Sequence, residues 1–208
     1  MRRRGAINRV AAAVHRALDD RQREATAEVE RILAAAVTVL QRSAPEPPRV
    51  SDIVAEAGTS NKAFYRYFAG KDDVILAVME RGVGIVVSYL EHQLSKESTP
   101  QDKVARWIRG ALAQLSEPHL LSLSRAASTQ LAVSADRRLS DDDILAPMRD
   151  LLTEPIAALG GDDPRRDADL VFGATLTVMR AYLNTGRRPH RADVDHLVTF
   201  CLRGLGAA

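Results

Sequence analysis

The sequence predicts an all-α protein, with a small helix-turn-helix head ahead of a larger helical domain. Three observations carry that reading. Apolar residues recur at three- and four-residue intervals over long stretches, the signature of one-sided helices. Alanine, leucine and valine are plentiful while aromatics make up 4% of the 208 residues, which favours helix over sheet. No run of alternating β-branched residues bounded by turn signals occurs.

The chain opens with a basic arm, residues 1–24. Residues 1–25 hold seven arginines against Asp19, Asp20 and Glu24, a net charge of +4, whereas the whole chain carries only +2. All the excess positive charge therefore lies ahead of the head. Ile7, Val10, Ala11, Val14 and Leu18 share a face, so the arm supports a helix from about Ile7 to Leu18. Two readings stay open: arginines that reach DNA phosphates or the minor groove, and a solvated helix packed on the protein.

The head is expected over residues 25–71. Val29, Ile32, Leu33, Ala36, Val37 and Leu40 mark a strongly amphipathic helix that must end before Pro45, Pro47 and Pro48. Val50, Ile53, Val54 and Ala57 give a second, short helix, stopped at Gly58, where glycine takes the left-handed conformation without penalty. Thr59 or Ser60 can cap the third helix. Within it Phe64 and Phe68 are four apart and face inward together, which leaves Asn61, Lys62, Tyr65 and Tyr67 pointing away. A helix-turn-helix lays such a second helix in the major groove, with polar groups at its start on base edges. DNA is therefore the first candidate partner.

The run Ile53-Val54-Ala55-Glu56-Ala57-Gly58, then Phe64-Tyr65-Arg66-Tyr67-Phe68 and Lys71, closely resembles the DNA-binding domain of TetR-family transcriptional repressors. The resemblance spans about Ala25 to Met79. It departs from the family pattern at Thr59, where an apolar residue is usual, at Lys62, where a small residue is common, and at Ala63, where Thr or Ser is frequent. By family position Tyr65, Tyr67 and Lys71 are expected to hold phosphates. Asn61, Lys62 and Ala63, flanked by Thr59 and Ser60, are expected at base edges, with Ser51 adding a contact from the preceding helix.

From residue 72 to 208 the chain reads as successive helices. Asp72 and Asp73 suit the N-terminus of one that runs towards Tyr89 and Leu90 with Gly82 and Gly84 inside it. Pro100 opens another to about Leu115, Pro118 a third towards Leu131, and a polar loop follows at 134–140. Asp141-Asp142-Asp143 starts a helix expected to reach Leu159 despite Pro147 and Pro155. Three consecutive carboxylates cannot converge on one metal ion, so they read as an acidic first turn. Helices from Pro164 to Asn184 and from Ala192 to Leu205 complete the chain.

The resemblance implies that this second domain binds a small-molecule effector and forms a homodimer through its last two long helices. The pair of heads would then read a palindromic operator and be released by the ligand. Tyr89, Trp107, Phe172 and Met179 are the expected apolar lining, with His119 or Arg125 as polar anchors, so the ligand is expected to be largely apolar. A dimeric DNA-binding regulator without an effector is the alternative, and an activator a less favoured one.

Other classes find little support. Cys201 is the only cysteine, which excludes internal disulfides and cysteine-cluster metal sites. His119, His190 and His196 lack metal-ligand spacing, Ser122 and Ser124 lack the glycines of a hydrolase elbow, and no phosphate-cradling glycine loop is present. No enzyme, cofactor or metal is expected. Uncharged stretches such as Ile32 to Gln41 and Gly82 to Leu90 are about half of what a membrane helix needs. Arg9, His15 and Arg16 interrupt any signal-peptide core, so no membrane association and a cytoplasmic location are expected.

Overall fold

The computed structural model describes residues 9–43, 46, 48–114, 141–185 and 187–207. Among these residues the chain forms nine helices and no strand: α1 (Arg9–Ser43), α2 (Val50–Ala57), α3 (Asn61–Tyr67), α4 (Lys71–Leu94), α5 (Pro100–Ala113), α6 (Asp141–Asp150), α7 (Thr153–Ala157), α8 (Pro164–Thr185) and α9 (Arg191–Gly204). The fold is thus an all-α helix-turn-helix head followed by a helical domain. Contacts divide it into two compact units, residues 1–74 and 75–208, and α4 begins in the first and continues into the second.

In the first unit α1 is one helix of 35 residues. This corrects the expectation of a separate arm helix ending near Leu18. No glycine or proline lies between Arg9 and Ser43 to stop the helix, and Arg23 pairs with Asp20 one turn earlier across the polar stretch. Only its C-terminal half is core. Ile32, Leu33, Ala35, Ala36, Val39 and Leu40 are buried, whereas Val10, Val14 and Leu18 are exposed.

That buried face packs chiefly on α2, whose Ile53 is fully buried, and Arg42 bridges to Glu56 at 3.0 Å. At the end of α2, Gly58 sits at φ 61°. Its N–H reaches the Ala55 carbonyl and that of Thr59 the Val54 carbonyl, each at 3.2 Å. This closure satisfies two of the terminal carbonyls of α2 and turns the chain sharply into α3.

The second unit is built around Trp107. Leu90 and Leu94 of α4, Val104, Ile108 and Ala111 of α5, Met148 of α6, Leu152, Ile156, Phe172 of α8 and Cys201 of α9 form one buried cluster with it. Cys201 is buried in this core, and that burial raises its thiol pKa. The start of α5 is set by Thr99, which accepts from the Asp102 N–H at 3.0 Å while its hydroxyl donates to the Asp102 carboxylate at 2.7 Å. At Gly110, α4 comes so near that an added Cβ would lie 2.7 Å from Leu90 Cδ2.

The single helix expected from Asp141 to Leu159 is two helices, α6 and α7, with a turn at Leu151 and Leu152. Pro155 explains the break: its ring clashes with the carbonyl four residues back, that of Leu151, and it is accommodated in the first turn of α7 instead. Pro147 is accommodated inside α6. The helix expected from Pro118 to Leu131 and the loop at 134–140 lie outside the described residues.

Candidate nucleic-acid interface

The candidate interface is built on α3. Its start is fixed by Ser60, in extended conformation, whose Oγ accepts from the Ala63 N–H at 3.1 Å. The cap therefore belongs to Ser60 and not to Thr59, since the Ser60 hydroxyl alone lies at the N-cap position. Phe64 and Phe68 are buried, their ring centroids 5.6 Å apart, and they hold α3 against the head. Its end is set by Phe68, which returns to extended backbone. The Asp73 carboxylate then accepts from the Ala69 N–H at 2.8 Å, and this places Lys71 as the first, exposed residue of α4.

Asn61, Lys62, Tyr65 and Arg66 are exposed on α3. Tyr65 lies edge-on to Phe64, with the planes at 87° and 58% of its surface open, so its hydroxyl is presented outward on an anchored ring. Ser51 is exposed near the start of α2, its Oγ 3.4 Å from the Asp52 carboxylate. Arg66, not among the contacts expected from the sequence, is also exposed on α3. Its guanidinium, 5.6 Å from the Tyr67 ring centroid, is a cation on the same exposed surface.

Three of the expected contacts are placed otherwise. Ala63 is 6% exposed and packs inward, so it has no side chain to offer a base. Tyr67 is half-buried, not outward: its hydroxyl donates to Glu28 Oε2 at 2.9 Å. The Thr59 hydroxyl donates to Glu28 Oε1 at 3.2 Å. A phosphate needs a donor, and both donors are already taken by a carboxylate that would repel it. Tyr67's hydroxyl is the largest influence holding the Glu28 carboxyl below its ordinary pKa, joined by Thr59, Arg66 and Arg31, while burial opposes them.

The expected ligand lining is distributed unevenly. Trp107 and Phe172 meet with centroids 6.0 Å apart, but in the core of the second unit. The Trp107 Nε1–H donates to the Met148 carbonyl at 3.0 Å. Trp107 is 1% exposed and its polar atom is taken by backbone, so in this structure it packs as a core residue. Phe172 is likewise buried at 7%, Met179 is half-buried against the same cluster, and Tyr89 is 40% exposed. His119 and Arg125 lie outside the described residues. Among the described residues no group of three His, Cys, Asp or Glu side chains could hold a metal ion.

Residues 32–78, which contain α2, the Gly58 turn, α3 and the start of α4, match the family described as bacterial regulatory proteins, tetR family. The head belongs to the TetR family. The match to this TetR-family pattern begins at Ile32, so most of α1, including its whole N-terminal half, stands outside it.

Among curated proteins, the fatty acid metabolism regulator protein of Bacillus subtilis is 26% identical over 92 residues, 44% of this chain. The chain spans about half the length of that relative, 47% of it. An uncharacterised HTH-type regulator of the same organism, YwcC, is 39% identical over 80 residues, 37% of this chain and 34% of its own. In fold, the chain is similar to the Bacillus subtilis transcriptional regulator FadR in complex with stearoyl-CoA. That similarity has a TM-score of 0.63 at 18% identity and covers 85% of this chain and 96% of that one. A Pseudomonas aeruginosa regulator is similar at a TM-score of 0.70 and 17% identity over 86% of this chain and 90% of its own. The TetR-family head is thus joined to a helical domain of a kind seen in other regulators.

Proposed function

We propose that this chain is a dimeric transcriptional repressor that binds a near-palindromic DNA operator and is released by a small, largely apolar ligand. It is a regulator and not an enzyme, in keeping with the family of regulatory proteins to which its head belongs. The observation that carries the reading is α3 itself: a short helix, capped by Ser60 and anchored by Phe64 and Phe68, that presents Asn61, Lys62, Tyr65 and Arg66 on one exposed surface. Asn61 and Lys62, at its N-terminal end, would read base edges. Tyr65, Arg66 and Lys71 would hold phosphates, with Ser51 as a weaker contact from α2.

Two further features support the partners proposed. Leu170 on α8 and Phe200 on α9 are 66% and 65% exposed, large apolar groups on the two long helices through which a second copy would dock. The fold neighbour that holds stearoyl-CoA favours a ligand with a long apolar part. Among the described residues no helix is long and apolar enough to cross a membrane, and a cytoplasmic site of action is proposed with the DNA partner. The arginines of the α1 extension would add phosphate contacts beside the operator.

Release follows from differential affinity. A ligand that binds the form with widely spaced heads more tightly shifts the population away from the operator-competent form, and only by that difference. The test is selection of bound duplexes from a random-sequence library, followed by titration of the selected duplex with stearoyl-CoA present. The proposal expects a two-fold symmetric consensus and weaker binding with ligand. Equal affinity with and without any acyl-CoA tried would remove acyl-CoA release, and an asymmetric consensus would remove the dimer.

A further inference from the structure

Glu28 lies on α1, 31 residues before Thr59 and 39 before Tyr67. Thr59 stands just before the cap of α3 and Tyr67 is its last residue, so a single carboxylate holds the recognition helix at both ends. One oxygen accepts from Thr59 at 3.2 Å, the other from Tyr67 at 2.9 Å, and Arg66 lies 3.7 Å from the second. The Glu28 side chain is 21% exposed and the two hydrogen bonds are part-buried.

We propose that Glu28 is a positioning residue that sets the roll of α3 about its own axis, and that discrimination between DNA sequences depends on it while general attraction to DNA does not. Phe64 and Phe68 bury one side of a helix only seven residues long, and apolar packing is non-directional, so it tolerates small rotations. Two directional bonds at opposite ends of the helix do not. Base reading by Asn61 and Lys62 requires bond distances and angles within narrow limits, whereas phosphate contacts from Arg66 and Lys71 are long-range and forgiving. The same carboxylate takes the Thr59 and Tyr67 hydroxyls out of phosphate contact. The inference rests on the DNA-binding reading above.

The full-length chain is compared on two duplexes, one selected from the random library by the unaltered protein and one scrambled. Glu28→Ala removes both acceptors, and the double variant Thr59→Val, Tyr67→Phe removes both donors while keeping shape and the Glu28 charge. Val39→Ala, which thins the head core without touching these bonds, controls for lost stability. Both Glu28→Ala and the double variant should lose about tenfold or more in the ratio of selected to scrambled affinity, with scrambled binding within about twofold for the double variant, which keeps the Glu28 charge, and the Val39→Ala ratio unchanged. If Glu28→Ala does not fold, the double variant decides alone. A ratio retained within about twofold by the double variant overturns the inference, as does a change of both duplexes together. Failure of the unaltered chain to select any sequence removes the DNA reading itself, whereas the first two results leave that reading standing.

Discussion

The Tyr67 hydroxyl donates a 2.9 Å hydrogen bond to Glu28 Oε2, joining the end of the recognition helix to the middle of α1. This bond makes the head sensitive to acid. Glu28 is held below its ordinary pKa of 4.5, first by Tyr67 and then by Thr59 and nearby arginines. A depressed carboxyl binds fewer protons folded than unfolded, so its stabilisation is present above about pH 4.5 and is lost as pH falls through the native value. Thermal melting of the head between about pH 3 and pH 6 should show a downward limb that Glu28→Gln flattens. An unchanged limb would mean that other carboxylates cause it.

The turn into α3 gives a sharper pair of stability predictions. Ser60→Ala removes the only side-chain cap on α3 and should cost about 1 kcal/mol in denaturant unfolding. Gly58→Ala should cost roughly 1–2 kcal/mol, because φ is 61° there and a Cβ meets nothing within 4 Å, so the penalty is backbone strain alone. Gly58→Asn should recover part of that loss, since asparagine tolerates the left-handed region.

Trp107 should tolerate little. Its indole N–H takes the Met148 carbonyl near the end of α6, where the Leu152 N–H bonds Arg149 instead. Trp107→Phe keeps an aromatic ring against Phe172 but strands that carbonyl, and should lower the stability of the second unit by about 1–3 kcal/mol. Operator affinity measured well below the melting point should hardly change.

Lys71 and Asn61 should separate on DNA. Lys71→Ala should weaken binding to all duplexes alike and reduce the slope of log affinity against log salt by about 1. Asn61→Ala should instead relax preference at one base position, by roughly 1–3 kcal/mol there. Identical profiles across single-base variants of the selected duplex would merge the two roles.

Deleting Met1 to Arg23 removes all seven arginines of the basic extension. If some two or three of them neutralise phosphates, the salt slope should fall by about 2–3, with the consensus unchanged. An unchanged slope would mean that these arginines take no part in DNA binding.

Much of the head was legible because its signals are local. Gly58, Ser60, the spacing of Phe64 and Phe68 and the prolines after Ser43 each act within one turn of the chain, and the helices stand where those residues put them. The break before Pro155 was also local in cause, but it lay one turn upstream of the residue that produces it. Absence of glycine and proline between Arg9 and Ser43 could have revealed a continuous α1, yet the change in charge composition drew the boundary instead.

The sequence by itself determined the helical class, the helix-turn-helix and the TetR-family resemblance of residues 50–71, since helix periodicity and caps are encoded within a few residues. Tertiary structure alone decided what individual side chains face. Tyr67 and Thr59 turn to Glu28, and Trp107 to the Met148 carbonyl, through partners 31 to 41 residues away. Periodicity tells which side of a helix is apolar, but a polar atom at the edge of that side goes to whichever unsatisfied partner the packing brings within about 3 Å.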